Sequence, residues 1–192
     1  MAEAETTTLQ TLLGWTELSD AAKEFAGYWS ALPKLGDVPR RRDFDPASLP
    51  AILPSFVILE VESPESVRFR LAGTSEVERY GQEVTGRNYL DFVPVARRPK
   101  AYAAFRNILD YPCGMLAVIY SITACGEPFL NEALGFPVRG QGDQVNLIYF
   151  QSNNRPRDLF HDNWADKLER HVAVTRRVFV DIGAGVPTDF SE

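Results

Sequence analysis

Residues 67–92, VRFRLAGTSEVERYGQEVTGRNYLDF, constrain the fold more than any other stretch of this chain. Residues 67–71 are β-branched and aromatic and read as a strand. An Ala72-Gly73-Thr74 corner follows, then a short helix over 75–80 and a second helical turn opening at Thr85-Gly86-Arg87-Asn88. Just upstream, Phe56, Ile58 and Glu60 alternate with Val57, Leu59 and Val61, and Ser63-Pro64-Glu65-Ser66 forms a turn. The two strands make a hairpin apolar enough to be central in its sheet. Gly73, Gly81 and Gly86 do not form GxGxxG, so no dinucleotide site is indicated; they are expected to close helices or permit left-handed turns.

Several of these residues carry a family resemblance. Phe69-Arg70-Leu71-Ala72-Gly73-Thr74, Tyr80-Gly81 and Thr85-Gly86-Arg87 resemble the strand-to-helix passage of a PAS domain. With Tyr28-Trp29, Leu32-Pro33, Val38-Pro39-Arg40 and Asp45-Pro46, the chain resembles the PAS-like family of alphaproteobacteria, mostly single-domain proteins without characterised activity. The resemblance covers residues 28–150 and speaks to fold far more than to ligand. It implies an α+β PAS fold: a five-stranded antiparallel sheet in the order 2-1-5-4-3, helices on one face, and flanking helices at both ends.

The rest of the chain fits that plan. Residues 1–8 are acidic and Thr-rich and read as a frayed terminus. Leu18, Ala22, Phe25, Trp29 and Leu32 form one stripe of a helix over 18–32, capped by Ser19 or Asp20 and ended by Pro33. That stripe must be covered, either within the chain or, as a docking or dimer element, by a second protomer. Arg40, Arg41 and Arg42 lie beside Asp43 and Asp45 and read as a solvated loop with local ion pairs. A short helix begins at Asp45-Pro46, with Pro in its first turn. Tyr102, Phe105, Ile108 and Leu109 mark one face of a helix over 99–110, and strands are expected over 115–124, 129–138 and 144–151. Trp164, Leu168, Val172, Thr175 and Phe179 suggest an amphipathic helix over 161–180, before a flexible Gly183–Pro187 end. The expected organisation is an N-terminal helical extension (1–54), a PAS core (55–152) and a C-terminal helical extension (153–192).

Composition narrows the function. A chain of 192 residues, 45% hydrophobic and 24% charged, suits one globular domain. A net charge of −6 argues against gripping phosphate backbones, so nucleic acid is not an expected partner. Cys113 and Cys125 are too few and too far apart for a CxxC motif or a disulfide framework. No charged leader with an apolar core opens the sequence and no apolar run reaches about 18 residues, so a cytoplasmic protein without membrane association is expected.

Candidate chemistry is sparse. His161 and His171 are the only histidines; on one helix they would stand about 80° apart, and no metal-ligand spacing occurs. Asn131 and Glu132 sit mid-strand, so one of the two must face the interior. Flavin-binding PAS domains carry Gly-Arg-Asn-Cys where this chain has Gly86-Arg87-Asn88-Tyr89, so flavin adduct photochemistry is not expected. Haem-binding PAS domains use a histidine on the long helix, and 99–110 has none, so b-type haem is not expected there either. What the resemblance leaves is a cavity lined by Tyr102, Phe105, Leu109, Ile119, Ser121, Asn131 and Ile148, suited to a small apolar or amphipathic metabolite. The leading expectation is a non-catalytic sensory module, homodimeric through its terminal helices and acting on a separate signalling protein. A dimerising adaptor with a filled cavity is the second reading. A small cavity enzyme using Cys113, Cys125 or Glu132 is the third.

Overall fold

The computed structural model describes residues 5–123, 126–155, 168–188 and 190. Its elements run β1 (Glu5–Thr8), α1 (Leu9–Leu13), α2 (Asp20–Ala31), β2 (Lys34–Leu35), β3 (Val38–Pro39), β4 (Phe56–Ser63), β5 (Ser66–Ala72), α3 (Thr74–Tyr80), α4 (Arg98–Asp110), β6 (Gly114–Thr123), β7 (Pro128–Arg139), β8 (Val145–Asn154) and β9 (Leu168–Asp181). Short 3-10 turns lie between them, including Pro46–Ser48, with Pro in its first turn, and Tyr89–Phe92.

Among the described residues, seven strands form one sheet in the order β1-β9-β6-β7-β8-β4-β5. The run β6-β7-β8-β4-β5 stands in the relative order expected for the PAS core, all of it antiparallel. Two expectations are corrected: the sheet has seven strands, not five, and it is mixed. β9 pairs antiparallel with β6 from Gly114↔Val180 to Thr123↔Leu168, and β1 adds parallel to β9 from Glu5↔Val178 to Thr8↔Asp181. Residues 5–8 are therefore an edge strand rather than a frayed end. The helix expected over 161–180 is likewise corrected, since 168–181 is strand; residues 156–167 lie outside those described. The reason is in the residues themselves. Val172, Val174, Thr175, Val178 and Val180 are β-branched, which favours a pleated strand over a helix.

The two-residue period divides the core between the sheet's faces. Val57, Leu59, Ala117, Ala133, Ile148 and Phe150 point to the side covered by α3 and α4. Phe56, Leu116, Leu134, Phe136, Tyr149 and Val178 point to the side covered by α1 and α2. Helices thus cover both faces, α3 and α4 one and the N-terminal α1 and α2 the other. Along α2, Ala22, Phe25, Ala26 and Trp29 have no exposed surface. Trp29 stacks on Phe136 with ring centres 4.6 Å apart, and its indole N–H donates to the Pro137 carbonyl at 3.1 Å. Phe25 meets Phe56 edge-on at 5.7 Å. Ser19 caps the helix by accepting from the Ala22 N–H. The stripe is covered within its own chain, the first of the two coverings expected of it.

Where α3 begins, a Cβ on Gly73 would lie 2.2 Å from the Leu53 carbonyl oxygen, and the Gly73 N–H donates to Phe56 O at 2.8 Å. This corner is a close backbone approach that only glycine allows. Gly81 ends α3 with φ of 64°, the left-handed cap expected of it.

Candidate functional site

Between the sheet, α3, α4 and the Tyr89–Phe92 turn lies a cavity of about 90 Å³. Strand alternation positions its walls. β6 presents Ala117 and Ile119, β7 presents Asn131 and Ala133, and β8 presents Phe150 and Ser152. Because β9 lies beside β6, His171, Val174 and Arg177 add a further wall. Phe69 and Phe105 close it with apolar rings.

Two buried polar networks interrupt the apolar lining. In the first, Arg79 Nη1 donates to Glu76 Oε2 at 2.7 Å and to Ser152 Oγ at 2.9 Å. Asn131 Nδ2 donates to Ser152 Oγ at 3.1 Å and to the Asn153 carbonyl at 2.9 Å. Burial pushes the Glu76 carboxyl above the usual carboxylate range, against the pull of the Arg79 guanidinium. The pairing follows from the sequence, since residues three apart on a helix share a face.

In the second network, the Tyr80 hydroxyl lies 2.9 Å from His171 Nε2, and Ser121 Oγ lies 3.0 Å from His171 Nδ1. Burial lowers the imidazole pKa to about 3, so the ring is neutral near pH 7. A neutral imidazole donates from one nitrogen and accepts at the other, and both are satisfied here. Burial also pushes the Tyr80 phenol well above its ordinary value and Tyr89 to about 12. The Tyr89 ring stacks on His171 with centres 5.8 Å apart.

The structure brings together three of the seven expected site residues: Phe105, Ile119 and Asn131 line the cavity. Ser121 stands behind His171, and Tyr102, Leu109 and Ile148 pack in the surrounding core rather than on the wall. Of the mid-strand pair, Asn131 faces the cavity while Glu132 faces the other way. Glu132 Oε1 accepts from Ser19 Oγ at 2.9 Å, and its Oε2 accepts from Arg155 Nη2 at 2.9 Å. Its role is to pin the start of α2 to the sheet. Glu76, Arg79, Tyr80, Tyr89, His171 and Arg177 were missed. Tyr80 and Tyr89 lay within or beside the motifs that carried the resemblance, whereas His171 and Arg177 were hidden by the helical reading of 161–180.

Ser121 and His171 are spaced like a nucleophile and its base, yet Ser121 has no exposed surface. Cys113 is also buried, and its thiol is pushed up to about 12; Cys125 and His161 lie outside the described residues. Among the described residues, no group of three or more His, Cys, Asp or Glu is placed to hold a metal ion. No described helix is long and apolar enough to cross a membrane.

The residues do not fit an adduct-forming flavin. Asn88 Oδ1 accepts from the Val67 and Leu90 N–H groups, which makes it a cap for the turn, and Tyr89 brings a phenol to the cavity where a thiol would be needed. α4 carries no histidine, and His171, the one histidine among the described residues, has both ring nitrogens engaged by Tyr80 and Ser121.

Comparison with solved structures returns light-sensing and signalling proteins at low identity. The Rhodobacter sphaeroides LOV protein is 19% identical over 60% of this chain and 70% of its own, with a TM-score of 0.43. The light state of the Aureochrome1 LOV domain is 17% identical over 59% of this chain and 89% of its own, with a TM-score of 0.43. The Vibrio cholerae VqmA dimer is 16% identical over 57% of this chain and 51% of its own, with a TM-score of 0.46. No curated protein matches the chain. A family model described as a PAS domain matches residues 18–149, well over half of the sequence and including α2, the hairpin, both cavity helices, β6, β7 and the first half of β8. The chain belongs to the PAS domain family.

Proposed function

We propose that the protein is a non-catalytic sensory or regulatory module that admits a small amphipathic ligand to the cavity and acts on a separate signalling protein. The observation that carries this reading is an apolar cavity whose few polar groups bridge different elements. The Tyr80–His171 bond ties α3 to β9, and the Arg79–Ser152 bond ties α3 to β8. A ligand competing for either bond would act on the packing of α3 against the sheet, which is a route from occupancy to shape. In this reading Phe105, Ile119 and Asn131 contact the ligand. Tyr102, Leu109, Ile148 and Ser121 hold the surrounding shape.

Native mass spectrometry of freshly purified protein, beside its denatured mass, tests the proposal. A reproducible non-covalent excess that disappears on denaturation is the expected result. Bare protein, combined with no displaced cavity resonance in a small-molecule NMR screen, would overturn it. One observation favours a second reading. The cavity of about 90 Å³ is below the roughly 300–1,000 Å³ of common ligand sites, which suits a partner-binding adaptor whose cavity is residual packing space. In that case side chains that enlarge or fill the cavity alter stability but not partner binding.

A further inference from the structure

Two polar atoms of the buried Glu76–Arg79–Ser152–Asn131 network lack a partner among the described residues. Glu76 and Arg79 stand three residues apart on α3, both line the cavity, and their side chains are only 3% and 8% exposed. Arg79 Nη1 reaches Glu76 Oε2 at 2.7 Å and Ser152 Oγ at 2.9 Å. Ser152 Oγ and the Asn131 amide are in turn engaged with each other, and Asn131 also with the Asn153 carbonyl. Glu76 Oε1 accepts no hydrogen bond among the described residues, and Arg79 Nε donates none.

Leaving a buried acceptor unmatched costs more than making its bond gains, so such an atom in a cavity wall calls for a partner. Burial favours the protonated acid, whereas the Arg79 guanidinium on Oε2 favours the carboxylate, and a donor at Oε1 would add to the second. A carboxylate only accepts, so the partner of Oε1 must donate. The charge of Glu76 is already matched by Arg79 at 2.7 Å. What remains at Oε1 is a lone pair rather than a net charge. An ammonium group would bring its own charge unpaired into a buried site, which favours a neutral donor. A hydroxyl is the smallest neutral donor, and its oxygen also accepts, the capacity that Arg79 Nε lacks a partner for.

We propose that the cavity takes a small neutral alcohol, whose hydroxyl donates to Glu76 Oε1 and whose apolar body lies against Phe105, Ile119 and Ala133. The inference rests on the reading of the cavity as a ligand site. A cavity of about 90 Å³ limits the body to a few carbon atoms. Because Glu76 lies on α3 and its network reaches β7 and β8, the hydroxyl would join the contacts that hold α3 to the sheet.

The test uses the full chain and the straight-chain alcohols from 1-propanol to 1-pentanol, each beside an ether of the same formula, titrated by amide NMR shifts. The ether has the same atoms and can accept but not donate. The expected result is that at least one alcohol binds more tightly than its ether by about tenfold or more, the worth of a hydrogen bond to a charged group, with shifts at Glu76, Ile119 and Asn131. Glu76→Gln gives its carbonyl oxygen to Arg79 and turns an amino group to the cavity, so the advantage of alcohol over ether should vanish. The comparison in the unaltered chain decides the matter should that variant not fold. Equal affinity for alcohol and ether would overturn the hydroxyl requirement while leaving the cavity a ligand site. Tighter binding of the alkylammonium of the same length would overturn the choice of a neutral donor. Binding of none of them at any chain length would overturn both the alcohol and the ligand site.

Discussion

At the scale of single residues, the buried imidazole of His171 shows how burial governs chemistry. The folded pKa of about 3 lies below the ordinary value of 6.5. Between those values the unfolded chain takes up a proton that the folded chain refuses. The stabilising contribution is therefore complete above pH 6.5 and declines as the pH falls towards 3. His171→Gln is expected to flatten the dependence of stability on pH across that window, measured by urea unfolding at a series of pH values. Identical slopes for both proteins would show that His171 titrates normally. Tyr80→Phe removes the partner of Nε2 and should cost about 1–3 kcal/mol, the penalty for an unsatisfied buried polar group. At the corner, Gly73→Ala forces a Cβ into the Leu53 carbonyl oxygen and should cost about 2 kcal/mol or more. The special need for glycine there was visible in the motif, but its cause was not. A contact with residues 53–54, about twenty positions back, leaves no local trace.

At the scale of elements, the amphipathic helices and the hairpin were legible because each buries one face against one neighbour. α2, α4, β4 and β5 all appear within a residue or two of where periodicity puts them. β9 was not legible. Its pairing with β6 shifts register between Val118 and Ile119, between Tyr120 and Ser121, and between Ile122 and Thr123. Each bulge adds a residue to one strand and breaks the two-residue alternation, leaving apolar positions that also fit a helical stripe. Glu132 offers a test of how elements are joined. Glu132→Ala removes a buried carboxylate that holds both Ser19 and Arg155, so stability should fall by about 3 kcal/mol. Hydrogen exchange should quicken at the start of α2 while cavity resonances stay in place. Unchanged exchange there would show that α2 is held by its aromatic face alone.

At the scale of the whole molecule, the terminal segments complete the sheet rather than decorate it. β9 lies between β1 and β6 and contributes Phe179 to one core and Val178 and Val180 to the other. A chain shortened to residue 155 would expose the full edge of β6 and open a wall of the cavity. It should lose cooperative thermal unfolding and near-ultraviolet circular dichroism. Retention of both would make β9 an accessory. The amino-acid sequence by itself determined the elements whose burial is local and periodic, the PAS character of the central segment, and an acidic net charge. Tertiary structure alone decided that Asn131 rather than Glu132 faces the cavity, because a strand's alternation identifies two faces without saying which is inward. It also decided that His171 and Arg177 reach the cavity, because only the pairing of β9 with β6 sets them beside Ala117 and Ile119.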